Sequence, residues 1–329
     1  IKVAYFLNED FHQFMPKLMP TILNDTKLDI DIKMESAVMP NSAANATGFT
    51  FKMKGFEGDQ RISMNTSALE SKISAFKFIN MISESMGKSF APYCETILPI
   101  MVENMSYQYS KAVRKNAFKT IPHVLLAVGE PTNTTVFRNL FPMFVKLLEK
   151  NIESQDLKEI KLILKTLDSS LKTLNEGNTE HKNYMDTASF NVLGPVLRKV
   201  LELVKEAKAK TMQTLNSKKS GIELDEEDVE AIKEELAKVC NAATYVMEIS
   251  GQLVLNFKEQ AAAMVKENLL TFYALNLNNY KDISESELLD ATCFFCDFIE
   301  YAYHSDIAMI AELNTKFLEI FSALDSIDV

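Results

Sequence analysis

Apolar residues recur along this chain at intervals of three and four positions, which is the period of an amphipathic helix. Residues 90–129 show the pattern best, because a polar Ser-Tyr-Gln-Tyr-Ser run at 106–110 divides two such apolar stretches. Ser110 is a good N-cap for the second stretch, and Gly129 supplies its stop. The segment therefore predicts two antiparallel helices joined by a tight turn.

The same pattern returns elsewhere in the chain. Its core is an apolar residue followed by proline, and it occurs as Met19-Pro20, Leu98-Pro99 and Phe141-Pro142. Repeats of roughly 40 to 47 residues with two helices each are typical of the HEAT and armadillo class. One pair cannot bury its apolar face alone, so neighbouring pairs stack. The sequence predicts an all-α fold, a HEAT-repeat superhelical solenoid of antiparallel helix pairs.

We expect residues 1–329 to form a single HEAT-repeat array, and we expect the sequence to be a fragment of a longer protein because it begins with Ile1. A long loop insertion is predicted at about 25–64, and an acidic stretch lies at about 222–230. Apolar and polar residues alternate in parts of the insertion, which predicts a small hairpin. We expect no sheet of three or more strands.

Charge restricts the class of partner. The net charge is −10 and the isoelectric point is about 5.1, which argues against direct binding to a nucleic-acid backbone and favours basic partners. No apolar run is long enough to span a bilayer, so we expect no membrane insertion.

Candidate chemistry is sparse, and we expect a binding protein rather than an enzyme. There is no glycine-rich phosphate loop and no G-x-S-x-G motif, and the four histidines are scattered. Cys293 and Cys296 form a C-x-x-C motif, but it lies within an apolar helical segment, so we interpret both as core residues. We predict no catalytic residue, no cofactor and no metal site.

Three segments resemble a known family. They are residues 58–72 (GDQRISMNTSALESK), residues 90–93 (FAPY) and residues 293–300 (CFFCDFIE). Together they are similar to the central HEAT-repeat segment of the importin-beta (karyopherin-beta) family, in the importin beta-3 branch. Asp297 and Glu300 match a C-x-F-D-D-x-I-E helix of that branch, whereas Cys296 stands where the branch often has its first Asp.

The resemblance implies a nuclear import receptor that binds cargo signals rich in Lys and Arg, such as those of ribosomal proteins and histones. It also implies release by Ran-GTP through the full-length protein, contact with nucleoporins, and shuttling between cytoplasm and nucleus through the nuclear pore. The alternative is a HEAT-repeat scaffold of the phosphatase-subunit or condensin-like kind. A scaffold holds folded subunits, whereas an import receptor binds basic peptides and Ran.

Acidic residues on the second helix of each pair are the candidate cargo-binding residues, because second helices line the concave surface of a HEAT array. They are Glu70, Asp168, Glu248, Asp290, Asp297 and Glu300. Asp297 and Glu300 are three residues apart, so both project from one side of a helix. We expect them to form, with Asp290, one pocket for a basic side chain. A solvated helix face is the other interpretation, since most charges lie there.

Overall fold

The computed structural model of the chain describes the backbone in seven segments, residues 6–30, 33–36, 46–52, 59–176, 183–219, 226–301 and 307–325. Side chains are described in a smaller set, residues 6–7, 10–30, 65–176, 183–213, 240–301 and 307–322. The chain divides into two compact units, Ile1–Gly129 and Glu130–Val329. A single array over the whole chain stays a prediction, and each unit is described by itself.

The first unit is a set of helices with one insertion of strands. A 3-10 helix, Asn8–Phe14, leads directly into α1, and a second 3-10 helix, Gly87–Phe90, precedes α3. The α-helices are α1 (Met15–Thr26), α2 (Thr66–Met86), α3 (Ala91–Asn104) and α4 (Lys111–Val128). The strands are β1 (Lys33–Ser36), β2 (Ala46–Lys52) and β3 (Asp59–Asn65).

Local capping fixes the helix ends where the sequence predicts it. Ser110 Oγ accepts a hydrogen bond from the Val113 N–H at 3.3 Å and caps α4. Gly129 ends the same helix with φ of 62°, a conformation that glycine adopts without a steric penalty. The predicted helix pair over residues 90–129 is confirmed by α3 and α4.

The insertion differs from the prediction, since it holds a three-stranded antiparallel sheet in the order β1-β3-β2. Lys33 lies opposite Ser63, and Ala46 lies opposite Asn65. The expectation of no sheet of three or more strands is therefore wrong. A two-stranded hairpin is only marginally stable, and pairing the short segment β1 with the free edge of β3 adds ladder hydrogen bonds. Outside the insertion, every described element is helical.

The second unit contains eight described helices. They are α5 (Thr132–Glu153), α6 (Leu157–Asn175), α7 (Thr187–Lys219), α8 (Glu226–Phe257), α9 (Glu259–Asn268), α10 (Leu270–Asn278), α11 (Glu285–Tyr301) and α12 (Ile307–Asp325). The acidic stretch at about 222–230 includes the start of α8, while residues 220–225 lie outside the described backbone.

Apolar stripes hold these helices in pairs. On α6 the stripe recurs with helical period and is almost fully buried, at Ile160, Ile163, Leu164, Leu167, Leu171 and Leu174. Tyr273 on α10 stacks on Phe294 of α11 at a centroid distance of 4.3 Å. The second helices α6, α8 and α11 pack side by side, with α8 in the middle. They form one layer, which carries the candidate site.

Within the described segments, no helix has the length and apolar character that crossing a bilayer requires.

Candidate functional site

Polar contacts join α6 to α8 in two successive rows. Lys172 Nζ donates to Glu248 Oε2 at 2.8 Å, and Asn175 Nδ2 donates to Gln252 Oε1 at 2.7 Å. The two pairs are separated by 76 and 77 residues in sequence. Because the separation is nearly constant, α6 and α8 run parallel and in register, so that a turn of one helix faces the matching turn of the other.

A second set of contacts joins α8 to α11. The Thr244 hydroxyl donates to Asp290 Oδ2 at 2.7 Å, across 46 residues of sequence. About two turns further on, Gly251 faces Asp297, again 46 residues later, and a Cβ added at Gly251 would come within 2.5 Å of Asp297 Oδ2. Glycine at this position therefore allows the carboxylate to approach the α8 backbone. The α8 and α11 helices are also parallel and in register.

The layer collects five of the six candidate acids. We name them the acidic stripe, which comprises Asp168 on α6, Glu248 on α8, and Asp290, Asp297 and Glu300 on α11. Glu70 is exposed on α2 and belongs to the other unit, so it is not part of the stripe. The structure thus brings together acids that lie more than 130 residues apart in the sequence.

Asp168 is the most buried acid of the stripe, with an exposed fraction of 3%. Burial raises its pKa to about 6, the nearby Glu248 carboxylate adds to the rise, and the hydrogen bond and the charge of Lys172 act in the opposite direction. Lys172 Nζ lies 2.8 Å from Asp168 Oδ2, and Asp168 Oδ1 is buried without a hydrogen-bond partner in the described structure. Burial works to lower the pKa of Lys172, but its bonds to Asp168 and Glu248 outweigh that effect and raise it.

Asp290 is buried beside Thr244, not beside the other two acids of α11. Burial raises its pKa, the hydrogen bond from Thr244 opposes that change, and the charges of Glu248 and Glu287 add to it. Asp290 therefore lies level with Thr244 of α8, about two turns before Asp297.

Asp297 and Glu300 lie together at the far end of the stripe, Asp297 half-buried and Glu300 exposed. Burial raises the pKa of Asp297, and the negative charge of Glu300 raises it further. Among the described side chains, Asp297 has neither an ion pair nor a hydrogen bond. A carboxylate in this state gains from an added cation, so the pair favours a positively charged ligand.

The basic, amide and hydroxyl side chains that accompany these acids were not predictable from the sequence. Lys172, Thr244 and Gln252 have partners 46 to 77 residues away, which no short-range pattern reveals. The ion pair of Lys208 Nζ with Glu287, at 2.6 Å, was missed for the same reason.

The prediction for the C-x-x-C motif is wrong for one of its two cysteines. Cys293 is partly buried, but Cys296 is exposed, so the interpretation of both as core residues is wrong for Cys296. The aromatic residues Phe294, Phe295 and Phe298 take the buried positions of α11 and turn Cys296 outward. Burial and the neighbouring charge of Asp297 raise the pKa of both thiols, which keeps them in the unreactive protonated form. Across the described segments, no three His, Cys, Asp or Glu residues are grouped for metal binding.

Comparison with known proteins gives a family match for part of the chain and several structures of similar fold. Residues 62–177 match the profile of a family described as IPO5-like, TPR repeats. The structure of karyopherin Kap121p bound to the extreme C-terminus of the protein phosphatase Cdc14p is similar over 91% of this chain and 26% of the Kap121p chain, with a TM-score of 0.63 and 14% identity.

Two further complexes give similar results. Kap121p bound to Nup53p is matched over 93% of this chain and 30% of that chain, with a TM-score of 0.54 and 14% identity. Kap121p bound to RanGTP is matched over the same shares, with a TM-score of 0.54 and 13% identity. The chain therefore spans about a quarter to a third of the length of these structures, and the likeness establishes the fold.

The predicted all-α HEAT-repeat fold is confirmed by this similarity. Beyond the match of residues 62–177 to the IPO5-like family model, the chain as a whole has the fold of the karyopherin Kap121p structures.

Proposed function

We propose that this chain is the part of a nuclear import receptor that binds basic cargo segments, and that the acidic stripe is the binding surface. The observation that carries the proposal is the convergence of five acids from three parallel second helices, with Asp297 lacking a cationic partner among the described side chains. Lys or Arg side chains of an extended peptide would meet these carboxylates through charge-assisted hydrogen bonds.

The Kap121p complexes support the wider role. Kap121p binds the extreme C-terminus of Cdc14p, Nup53p and RanGTP in these structures. For this protein we propose, in its full-length form, release of cargo by Ran-GTP, contact with nucleoporins, and shuttling between cytoplasm and nucleus. Ribosomal proteins and histones are the proposed cargo class, because they present long basic segments.

The energetics favour several contacts over one. An exposed ion pair contributes roughly 0 to 1 kcal/mol, and a hydrogen bond to a charged group contributes about 1.5 to 3 kcal/mol. Ordering an extended peptide opposes these gains. Useful affinity therefore requires a peptide that reaches several acids of the stripe at once.

The test is a titration of a labelled Lys-rich peptide against the wild type and the double variant Asp297→Asn/Glu300→Gln, at two salt concentrations. We expect the double variant to bind about tenfold more weakly at low salt, and the difference to shrink as salt screens the charges. The double variant Glu149→Gln/Glu153→Gln on α5 is the matched control, because both acids are exposed and the change of charge is the same.

Equal affinities for the wild type and the α11 variant would overturn the proposal that Asp297 and Glu300 bind cargo. Loss of affinity in both double variants would indicate a general effect of net charge. Binding of a folded subunit with no preference for basic peptides would instead favour the scaffold alternative.

A further inference from the structure

We propose that Lys172 occupies, as part of the chain itself, the place of a ligand's basic side chain between Asp168 and Glu248, and that an arginine of the ligand displaces it. This inference deepens the proposed function and rests on it. It adds an internal competitor to the acidic stripe and a preference for arginine over lysine.

The geometry shows a formed site for a cation. Lys172 Nζ lies 2.8 Å from Asp168 Oδ2 on its own helix and 2.8 Å from Glu248 Oε2 on the next second helix. Two carboxylates from different helices thus hold one ammonium group. A lysine from a bound peptide would make the same two contacts, so the chain already contains a copy of the proposed ligand group.

Exposure decides which partner can move. The side chain of Asp168 is 4% exposed and is fixed by its surroundings, whereas that of Lys172 is 46% exposed. Glu248 is intermediate, at 32%. Water can solvate the half-exposed ammonium group of Lys172, whereas a buried carboxylate without a cation is unfavourable. The Lys172 side chain can therefore move into solvent when another cation replaces it at the buried Asp168.

One oxygen of the site identifies the preferred ligand. Asp168 Oδ1 is buried and has no hydrogen-bond partner among the described residues, although Oδ2 is paired with Lys172. A buried acceptor without a donor is unfavourable. The planar guanidinium group of arginine donates two parallel hydrogen bonds to one carboxylate, whereas an ammonium group acts as a point charge. An arginine in the place of Lys172 could satisfy both oxygens of Asp168.

If a bound arginine displaces Lys172, the amine of Lys172 becomes more accessible in the wild-type protein. Residue-resolved acetylation, read by mass spectrometry with and without a saturating Arg-rich peptide, measures how accessible each lysine amine is. We expect the rate at Lys172 to rise when the peptide binds, because its amine leaves the ion pair. Exposed Lys146 on α5, which has no ion pair among the described residues, is the internal reference and should not change. An unchanged or slower rate at Lys172 would overturn the proposal.

A variant provides the second measurement. Lys172→Met keeps most of the aliphatic stem and removes the competitor, and Lys146→Met makes the same change of net charge elsewhere. We expect Lys172→Met to bind the Arg-rich peptide about three- to tenfold more tightly than Lys146→Met, and to gain less for the Lys-rich peptide. Titrations at pH 8 lie well above the pKa of about 6 that Asp168 has beside Lys172, and a thermal unfolding curve confirms that both variants are folded.

The outcomes separate this inference from the proposed function. If the wild type binds basic peptides but Lys172→Met shows no gain over Lys146→Met, the competitor is refuted and the cargo site remains. If the wild type binds no basic peptide, the proposed function itself fails. Equal gains for the Arg-rich and Lys-rich peptides would refute the preference for arginine.

Discussion

At the scale of the residue, Asp168 shows how burial and a neighbouring positive charge shift the pKa of a carboxyl group in opposite directions. Burial raises the pKa of this carboxyl to about 6, above its ordinary value of 3.8, even though Lys172 lies within hydrogen-bond distance. The folded state therefore holds a proton that the unfolded state has released at the same pH. Stability linked to this group is fully present below the unfolded pKa and is lost as pH rises through about 6.

This linkage can be measured with Asp168→Asn, which removes the titrating group. We expect the free energy of unfolding of the wild type, minus that of the variant, to fall by about 1 to 3 kcal/mol between pH 4 and pH 7. Urea unfolding at several pH values measures the difference. Asp290 and Asp297 titrate in both proteins and cancel in the subtraction. A difference that rises with pH would show that the ion pair with Lys172 outweighs burial.

At the scale of the element, contacts within a few residues were predictable, and contacts between helices were not. The Ser110 cap and the Gly129 stop were predicted from the sequence and are confirmed. The structure also shows a capping box of Ser284 with Glu287, which is equally local in sequence. The third strand of the insertion was missed, because the four residues of β1 form a strand only when β3 offers an edge.

The candidate site follows the same division. Helical period placed the acids on second helices, but it could not show that Asp290 turns to Thr244 while Asp297 faces Gly251. It also could not show which side of α11 is exposed, because Cys296 and three phenylalanines are all apolar and only the phenylalanines are buried. Those choices depend on the neighbouring helix, which is distant in sequence.

The ion pair of Lys208 on α7 with Glu287 on α11 gives a prediction for helix packing. Glu287 accepts hydrogen bonds from Lys208 Nζ at 2.6 and 2.7 Å and from the Ser284 N–H at 3.0 Å, so it serves both as a partner and as a cap. We expect Glu287→Gln to destabilise the chain more than Lys208→Met, because only the first change also weakens the cap. A double-mutant cycle by chemical denaturation should give a coupling of about 0.5 to 3 kcal/mol.

Strictly additive single effects in that cycle would mean that the two side chains do not stabilise each other. The exposed pair of Arg198 with Glu202 on α7 is the comparison, since its 3.7 Å contact lies in solvent and should show a coupling of no more than roughly 0.5 kcal/mol.

At the scale of the whole molecule, the division into two units assigns the acidic stripe to one of them. All five acids of the stripe lie in Glu130–Val329, whereas Glu70 lies in Ile1–Gly129. The proposed binding surface is therefore contained in a single contiguous stretch of sequence.

The corresponding prediction is that residues 130–329, expressed alone, bind a Lys-rich peptide within about threefold of the affinity of the whole chain. Residues 1–129 should bind it much more weakly. Isothermal titration of the two fragments and the whole chain, after circular dichroism has shown each to be helical, makes the comparison. Comparable binding by residues 1–129 would point to Glu70 and its surroundings instead.

The parallel register of α6, α8 and α11 has a consequence for the sequence of a ligand. Neighbouring helix axes are about 8 to 10 Å apart, and an extended peptide advances about 3.3 Å per residue. A peptide that crosses the three helices would thus pass one helix for roughly every three of its residues. The layer would therefore favour one spacing of basic residues in its ligand. A segment with basic residues at every third position would fit it better than a segment of equal charge with its basic residues clustered.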